Sequence, residues 1–137
     1  MPSETYERGL ALRKDVLGAE YVERSLAAAD ALSRPIQDLS TEYCWGAVWC
    51  RPGLSRRDRS LLNIGMISAL NRPHELRLHI KAALGNGVTR EEIAEALLQV
   101  AVYCGMPAGL DSTRIAREAF AEVDGAAAAL ASGSARA

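Results

Sequence analysis

The sequence predicts an all-α fold with a central antiparallel helix hairpin at residues 71–104. Alanine and leucine dominate the 137-residue chain, and 49% of its residues are apolar although only 5% are aromatic. This composition favours helices over sheets. Apolar residues recur at helical spacing, and helix-capping patterns precede two of the segments. The length is that of one domain, with enough apolar residues for a core.

About six helices are expected along the chain. Ser3 is a candidate N-cap, Pro35 fits the first turn of the third helix, and a capping pattern at Ser55 opens the fourth. Residues 125–137 are small and of low complexity, so we expect a domain at 1–124 and then a disordered tail without a role in chemistry. The predicted helices outside the hairpin are 3–17, 19–32, 35–49, 56–70 and 110–123.

The hairpin places polar side chains beside an apolar stripe. Arg72, Glu75 and His79 stand at relative positions 0, +3 and +7, which a period of about 3.6 residues stacks on one helix face. The segment Gly85-Asn86-Gly87 supplies the turn between the two helices. A capping box that begins at Thr89 opens the second helix.

The third helix contains two tryptophans on one face. Trp45 and Trp49 lie four residues apart. Large aromatic side chains of this kind anchor a core, but they could also form the wall of a ligand pocket or a subunit contact. Glu42 lies three residues before Trp45 on the same side, so it could reach either kind of site.

The fourth helix is apolar on nearly every side over residues 60–70, apart from Asn63 and Ser68. Such a helix should be buried all round, either at the centre of the subunit or under a neighbouring subunit. Arg56, Arg57 and Arg59 lie at its start, where positive charge opposes the helix dipole. These arginines are either a solvated helix start or the receptor of an anion.

Composition disfavours several classes of protein. The formal net charge of -1 argues against general nucleic-acid binding. No run of 18 apolar residues exists and the first residues are charged, so we expect no membrane span or signal peptide and a cytoplasmic location. The three cysteines have neither zinc-ligand spacing nor the pattern of a disulfide framework, and we expect them to be small buried hydrophobes: Cys44, Cys50 and Cys104.

His79 is the histidine that we expect to carry chemistry. Glu75, one turn earlier, can accept a hydrogen bond from its ring and fix the tautomer. His74 lies on another face near the helix start, in solvent. A histidine among leucines is also compatible with a purely structural role in the core. Metal binding by Glu75 and His79 has no third ligand at clear helical spacing.

Three segments carry a resemblance to a known family. YERGLALRKDVLGAEYVERSL, EYCWGAVWCRPGLSRRDRSLL and ELRLHIKAALGNGVTREEIAEALLQVAVYCGMPAG are similar to the carboxymuconolactone decarboxylase family, over roughly residues 6 to 122. The resemblance implies the alkylhydroperoxidase-like helical fold, an oligomer and no cofactor. The apolar helix 60–70 and the Trp45/Trp49 face exceed what one small subunit can cover, so we expect a homotrimer or homohexamer, with the hairpin as subunit core and part of the interface. We expect no metal. The family includes the 4-carboxymuconolactone decarboxylases of the β-ketoadipate pathway.

The implied reaction converts 4-carboxymuconolactone, a small lactone carboxylate, to β-ketoadipate enol-lactone. The electron pair that remains when CO₂ leaves can move to the carbonyl oxygen of the lactone and form a dienolate. This intermediate needs a hydrogen-bond donor at the oxygen and one proton. We assign those roles to His79, oriented by Glu75. Bidentate guanidinium groups suit the substrate carboxylates. The predicted substrate-binding residues are Arg72 first, then Arg51 and Arg59, with Glu42 and Trp45 near the pocket.

Other functions remain open. Alkylhydroperoxidase-like relatives carry Cys-x-x-Cys-x-x-x-His, whose cysteine positions fall here at Arg72 and Glu75, so thiol chemistry by that mechanism is not expected. A peroxidase that uses Cys104, or a non-catalytic oligomer, are the alternatives from other classes. The 4-carboxymuconolactone decarboxylases more often have Ala-Asn at Gly109-Leu110, which leaves room for a related lactone or acid as substrate.

Overall fold

The computed structural model describes the backbone of residues 1–136 and the side chains of residues 1–133. The described residues form seven α-helices and one π-helix and no strand, so the all-α fold class is confirmed. The chain divides into two compact units, residues 1–59 and 60–137. The elements are α1 Glu4–Leu17, α2 Ala19–Ala27, α3 Arg34–Leu39, the π-helix Ser40–Trp49, α4 Arg56–Leu70, α5 Pro73–Gly85, α6 Arg90–Cys104 and α7 Met106–Arg136.

The ends of the first unit's helices follow local capping. The Ser3 side chain accepts a hydrogen bond from the Tyr6 amide, as expected of an N-cap. Helix α2 ends at Ala27 rather than near Leu32. The reason is Asp30, whose carboxylate accepts hydrogen bonds from the amides of Leu32 and Ser33. A side chain that takes up these amides favours a turn over another helical turn.

The predicted third helix changes type after Leu39. Ten residues of π-helix follow, and α1 packs against them. Gly9 and Gly46 permit this approach, because a Cβ atom on Gly9 would lie 2.6 Å from the Gly46 amide nitrogen. The buried Arg13 donates to Thr41 Oγ1 at 2.9 Å and to Gln37 Oε1 at 2.8 Å. Wide helical turns of this kind are often found at functional sites.

The core of the second unit draws on α4 to α7. Both helices of the hairpin, α5 and α6, pack against α7. Capping of α6 is as predicted, since Thr89 and Glu92 form the complete capping box. The fully or nearly fully buried apolar residues of this core are Ile64, Leu76, Ile80, Ala83, Val88, Ile93, Leu97, Ile115, Ala116 and Ala119.

Helix α4 has the predicted bounds but not the predicted burial. Its buried face is Ser60, Ile64 and Ser68. Leu62, Met66 and Leu70 on other faces are 53%, 47% and 65% exposed. The expectation of burial all round is therefore wrong for the single chain. Cover by a second subunit stays a prediction.

Helix α7 is longer than predicted at both ends. Its first turn includes Pro107, at a position where proline costs no hydrogen bond. The helix continues to Arg136, through the segment expected to be unstructured. From Asp124 to Gly133 every residue is exposed. The functional boundary near residue 124 stays a prediction.

The cysteine expectation is wrong. All three cysteines are exposed and none forms a disulfide: Cys44, Cys50 and Cys104. Cys44 lies in the π-helix and Cys50 is its C-cap residue, whereas the buried positions of this helix include Trp45 and Trp49. Among the described residues, no helix is long and apolar enough to cross a membrane.

Candidate active site

Helix α5 positions His79 at the edge of the second unit's core. Leu76, Ile80 and Ala83 on its inner face are 2%, 0% and 0% exposed. His79 lies beside this stripe and is partly buried, whereas Glu75, one turn earlier, is exposed. The amphipathic pattern of the helix therefore holds the imidazole where one side meets the core and the other meets solvent.

Asn63 on α4 contacts the His79 ring. Its side-chain nitrogen Nδ2 lies 3.4 Å from His79 Nδ1. When the amide donates to Nδ1, the proton of a neutral imidazole resides on Nε2. Asn63 was not among the site residues expected from the sequence. Asn63 stands out in the sequence as a polar residue in an otherwise apolar helix. The sequence around it does not show that its side chain reaches a residue 16 positions later, on the next helix.

Burial keeps the imidazole neutral. Desolvation lowers the pKa of His79 below its ordinary 6.5, and the negative charge of Glu75 raises it by a smaller amount. The lowered pKa means that the neutral ring predominates at pH 7. A neutral ring with its proton on Nε2 can donate a hydrogen bond to a developing oxyanion, as an electrophilic catalyst does.

Arg72 lies outside the helix that was expected to include it. It is the N-cap residue of α5, with φ -117° and ψ 83°, so the helical period starts at Pro73. Its guanidinium donates to the carbonyl oxygens of Leu70 at 3.1 Å and Asn71 at 3.4 Å. Of the three residues predicted to share one helix face, only Glu75 and His79 lie within the helix. His74 is exposed, as expected.

The other predicted binding residues belong to the first unit. Glu42 accepts a hydrogen bond from the Ser3 hydroxyl, and Arg59 donates to the carbonyl oxygen of Arg51 at 3.2 Å. Trp45 is only 3% exposed, and its ring centroid lies 4.9 Å from that of Trp49. This packing supports the structural role of the tryptophan pair. A substrate-binding role for these residues stays a prediction.

The Gly109-Leu110 segment lies at an apolar groove between α6 and α7. The groove has a volume of about 390 Å³. A Cβ atom on Gly109 would lie 3.0 Å from the Ala101 Cα, so the two helices approach too closely there for a larger residue. The residues that line the groove do not include His79, Glu75 or Asn63. The difference from the 4-carboxymuconolactone decarboxylases at Gly109-Leu110 therefore changes this groove rather than the surroundings of His79.

Comparison with known proteins identifies the family. The model of the carboxymuconolactone decarboxylase family matches residues 34–118. The chain belongs to this family. It is 50% identical over 107 residues to a nitrosuccinic acid decarboxylase of Metarhizium robertsii, covering 78% of this chain and 75% of that protein. It is 39% identical over 120 residues to a 4-carboxymuconolactone decarboxylase of Acinetobacter baylyi, covering 88% and 90%.

A third relative has no assigned activity. It is an uncharacterized 15.0 kDa protein of Paracoccus denitrificans, 38% identical over 86 residues, which cover 61% of this chain and 63% of that protein. The two relatives with named activities are both decarboxylases. The prediction that this member of the carboxymuconolactone decarboxylase family is an enzyme of the carboxy-lyase class is therefore confirmed, while its substrate is open.

Proposed function

We propose that this decarboxylase acts on a small dicarboxylate whose departing carboxylate is conjugated to an electron-accepting group. The observation that carries the proposal is the placement of His79, which is partly buried, backed by Asn63 and kept neutral by desolvation. Such a ring suits the stabilisation of an oxyanion in the absence of a cofactor.

The substrates named for the two decarboxylase relatives share this chemistry. Nitrosuccinic acid has two carboxyl groups, and one is attached to the carbon that bears the nitro group. Carboxymuconolactone also has two, and one is attached to a carbon conjugated through the ring double bond to the lactone carbonyl. Loss of CO₂ leaves the electron pair on a nitro oxygen in the first case and on the lactone oxygen in the second.

The proposed mechanism assigns a role to each site residue in the second unit. The C–C bond to the carboxylate breaks, CO₂ leaves, and the electron pair moves to the acceptor oxygen. His79 Nε2–H donates to that oxygen, and the intermediate then takes up one proton at carbon. Asn63 holds the tautomer, and Glu75 moderates the pKa. Arg72 would have to leave its two backbone acceptors to bind a substrate carboxylate.

Two substrates are candidates within this class. 4-Carboxymuconolactone, which would place the enzyme in the β-ketoadipate pathway of aromatic catabolism, is supported by similarity over 88% of the chain. Nitrosuccinate is supported by the higher identity of 50%. A related lactone or acid is the third possibility. We further propose that the enzyme works in the cytoplasm.

We also propose a homotrimer or homohexamer. The support is the exposed apolar face of α4, where Leu62, Met66 and Leu70 lie open to solvent in the single chain. Exposed apolar surface of this kind is typical of a subunit interface. Multi-angle light scattering should give three or six times the 14.7 kDa chain mass. A well-folded monomer at micromolar concentration would refute the assembly.

The substrate is tested by offering both candidates to the purified enzyme. We expect CO₂ release from at least one of them, and His79→Gln should lower kcat by about 10²–10⁴, the usual contribution of a positioned acid–base group. His74→Gln, which changes the exposed histidine of the same helix, is the matched control. A hydroperoxide assay tests the thiol alternative. Absence of turnover on both acids would reject both named substrates.

A further inference from the structure

The groove between α6 and α7 is an apolar concavity within the second unit that the proposed reaction does not use. Its volume of about 390 Å³ is within the range of small-molecule sites. Leu98 and Leu110 on its two walls are 62% and 66% exposed, and Met106 is 61% exposed. Leu97 and Phe120 also contribute to the lining.

A single cationic side chain lies along this apolar lining. Arg117 on α7 forms no hydrogen bond or ion pair with any residue whose side chain the structure describes. Two other arginines do form ion pairs. Arg114 pairs with Asp111 and Glu118, and Arg90 pairs with Asp124. The carboxylates on this side of α7 are thus taken by other cations, and Arg117 retains its charge for another group.

We propose that the α6–α7 groove binds an amphipathic carboxylate, with the apolar body between Leu98 and Leu110 and the carboxylate on Arg117. Apolar walls favour a hydrocarbon chain or ring, because each buried methylene contributes to binding. A guanidinium at the wall selects an anion over a neutral molecule of the same shape. Met106 adapts its side chain to ligands of different shape.

This site is separate from the imidazole. His79, Glu75 and Asn63 are not among the lining residues, so the groove ligand is not the group that loses CO₂. The proposal therefore does not depend on the proposed substrate.

The test measures octanoate and 1-octanol binding to the full-length protein by calorimetry at low salt. We expect octanoate to bind about tenfold more tightly than octanol. Arg117→Gln should remove that preference, while Arg114→Gln, an arginine of the same helix outside the groove, should retain it. Ala94→Trp fills the groove from an exposed position and should abolish binding of both probes. Methyl NMR shifts at Met106 and Leu110 locate the ligand.

Three outcomes would overturn the proposal. Equal affinity for the two probes would show that Arg117 does not contribute. Binding of octanoate that survives Ala94→Trp would place it elsewhere. Lack of octanoate binding to the natural protein would refute the site, and a smaller assembly for Ala94→Trp in light scattering would then show that a second copy of the chain occupies the groove.

Discussion

Replacement of Asn63 tests whether His79 works as a neutral donor. Asn63→Leu keeps a side chain of similar size but removes the amide that lies 3.4 Å from Nδ1. Asn63→Asp places a carboxylate at the same position. That carboxylate accepts a hydrogen bond from Nδ1–H, so it raises the pKa of His79 and, in the neutral ring, places the proton on Nδ1 rather than Nε2. The two variants differ in charge and little in shape.

The size of each effect follows from the contact. A neutral hydrogen bond contributes about 0.5–1.5 kcal/mol, and a separation of 3.4 Å indicates the lower half of that range. Asn63→Leu should therefore lower kcat/KM by about 2–5-fold at every pH. In Asn63→Asp, the neutral ring presents a lone pair to the oxyanion, and the loss of such a donor costs about 10²–10³-fold.

The pH dependence separates the two variants. The pKa of His79 is already below 6.5 in the natural chain, so its kcat/KM should be flat from pH 6.5 to 8. In Asn63→Asp the imidazolium still donates from Nε2 at low pH, and activity should fall as the pH rises through the raised pKa. The assay is the initial rate of CO₂ release, with ring ¹⁵N NMR to follow the titration. Identical flat profiles for both variants would refute the neutral-donor mechanism.

Three further predictions concern stability and the thiols. Gly9→Ala should destabilise the fold by about 1–3 kcal/mol, seen as a lower Tm, because its Cβ meets the Gly46 backbone, whereas Gly65→Ala has nothing within 4 Å and should not; equal Tm values would contradict this. Because the folded-state pKa of His79 is lowered, the unfolding free energy should decrease as the pH falls below about 6.5, where the unfolded chain takes up a proton that the folded chain does not; His79→Gln should reduce this slope in denaturant titrations, and an unchanged slope would contradict the assignment. Replacement of Cys44, Cys50 and Cys104 by serine should leave CO₂ release within tenfold, since these residues are exposed and form no disulfide; a larger loss in a folded variant would implicate sulfur.

Helix positions governed by local contacts were predictable from the sequence. Ser3, Ser55 and Thr89 cap helices that begin one residue later, because each side-chain oxygen accepts a hydrogen bond from the amide three residues on. The bounds of α4 follow in the same way. These interactions span three residues, so the sequence pattern contains all of their partners.

Features that depend on distant partners were not predictable. The π-helix packs against α1 through Gly9 and Gly46, which are 37 positions apart in the sequence, and a single helix type looked equally good from residue 35 to 49. The contact between Asn63 and His79 joins two helices. The apolar pattern of α4 did not show whether its own chain or a neighbouring subunit covers each face, because periodicity does not distinguish the two cases.

The proton balance of decarboxylation explains why a half-buried neutral histidine suits this enzyme. Each turnover releases CO₂ from a carboxylate and consumes one proton, which must come from solvent and reach carbon. A fully exposed imidazole would share its hydrogen bonds with water and lose much of its effect on the oxyanion, while a fully enclosed one would have no route for proton return. His79 has core residues on one side, Asn63 on Nδ1 and the exposed Glu75 one turn away. In the proposed mechanism, this arrangement favours a neutral and oriented ring between turnovers and leaves the proton supply at the solvent edge of α5.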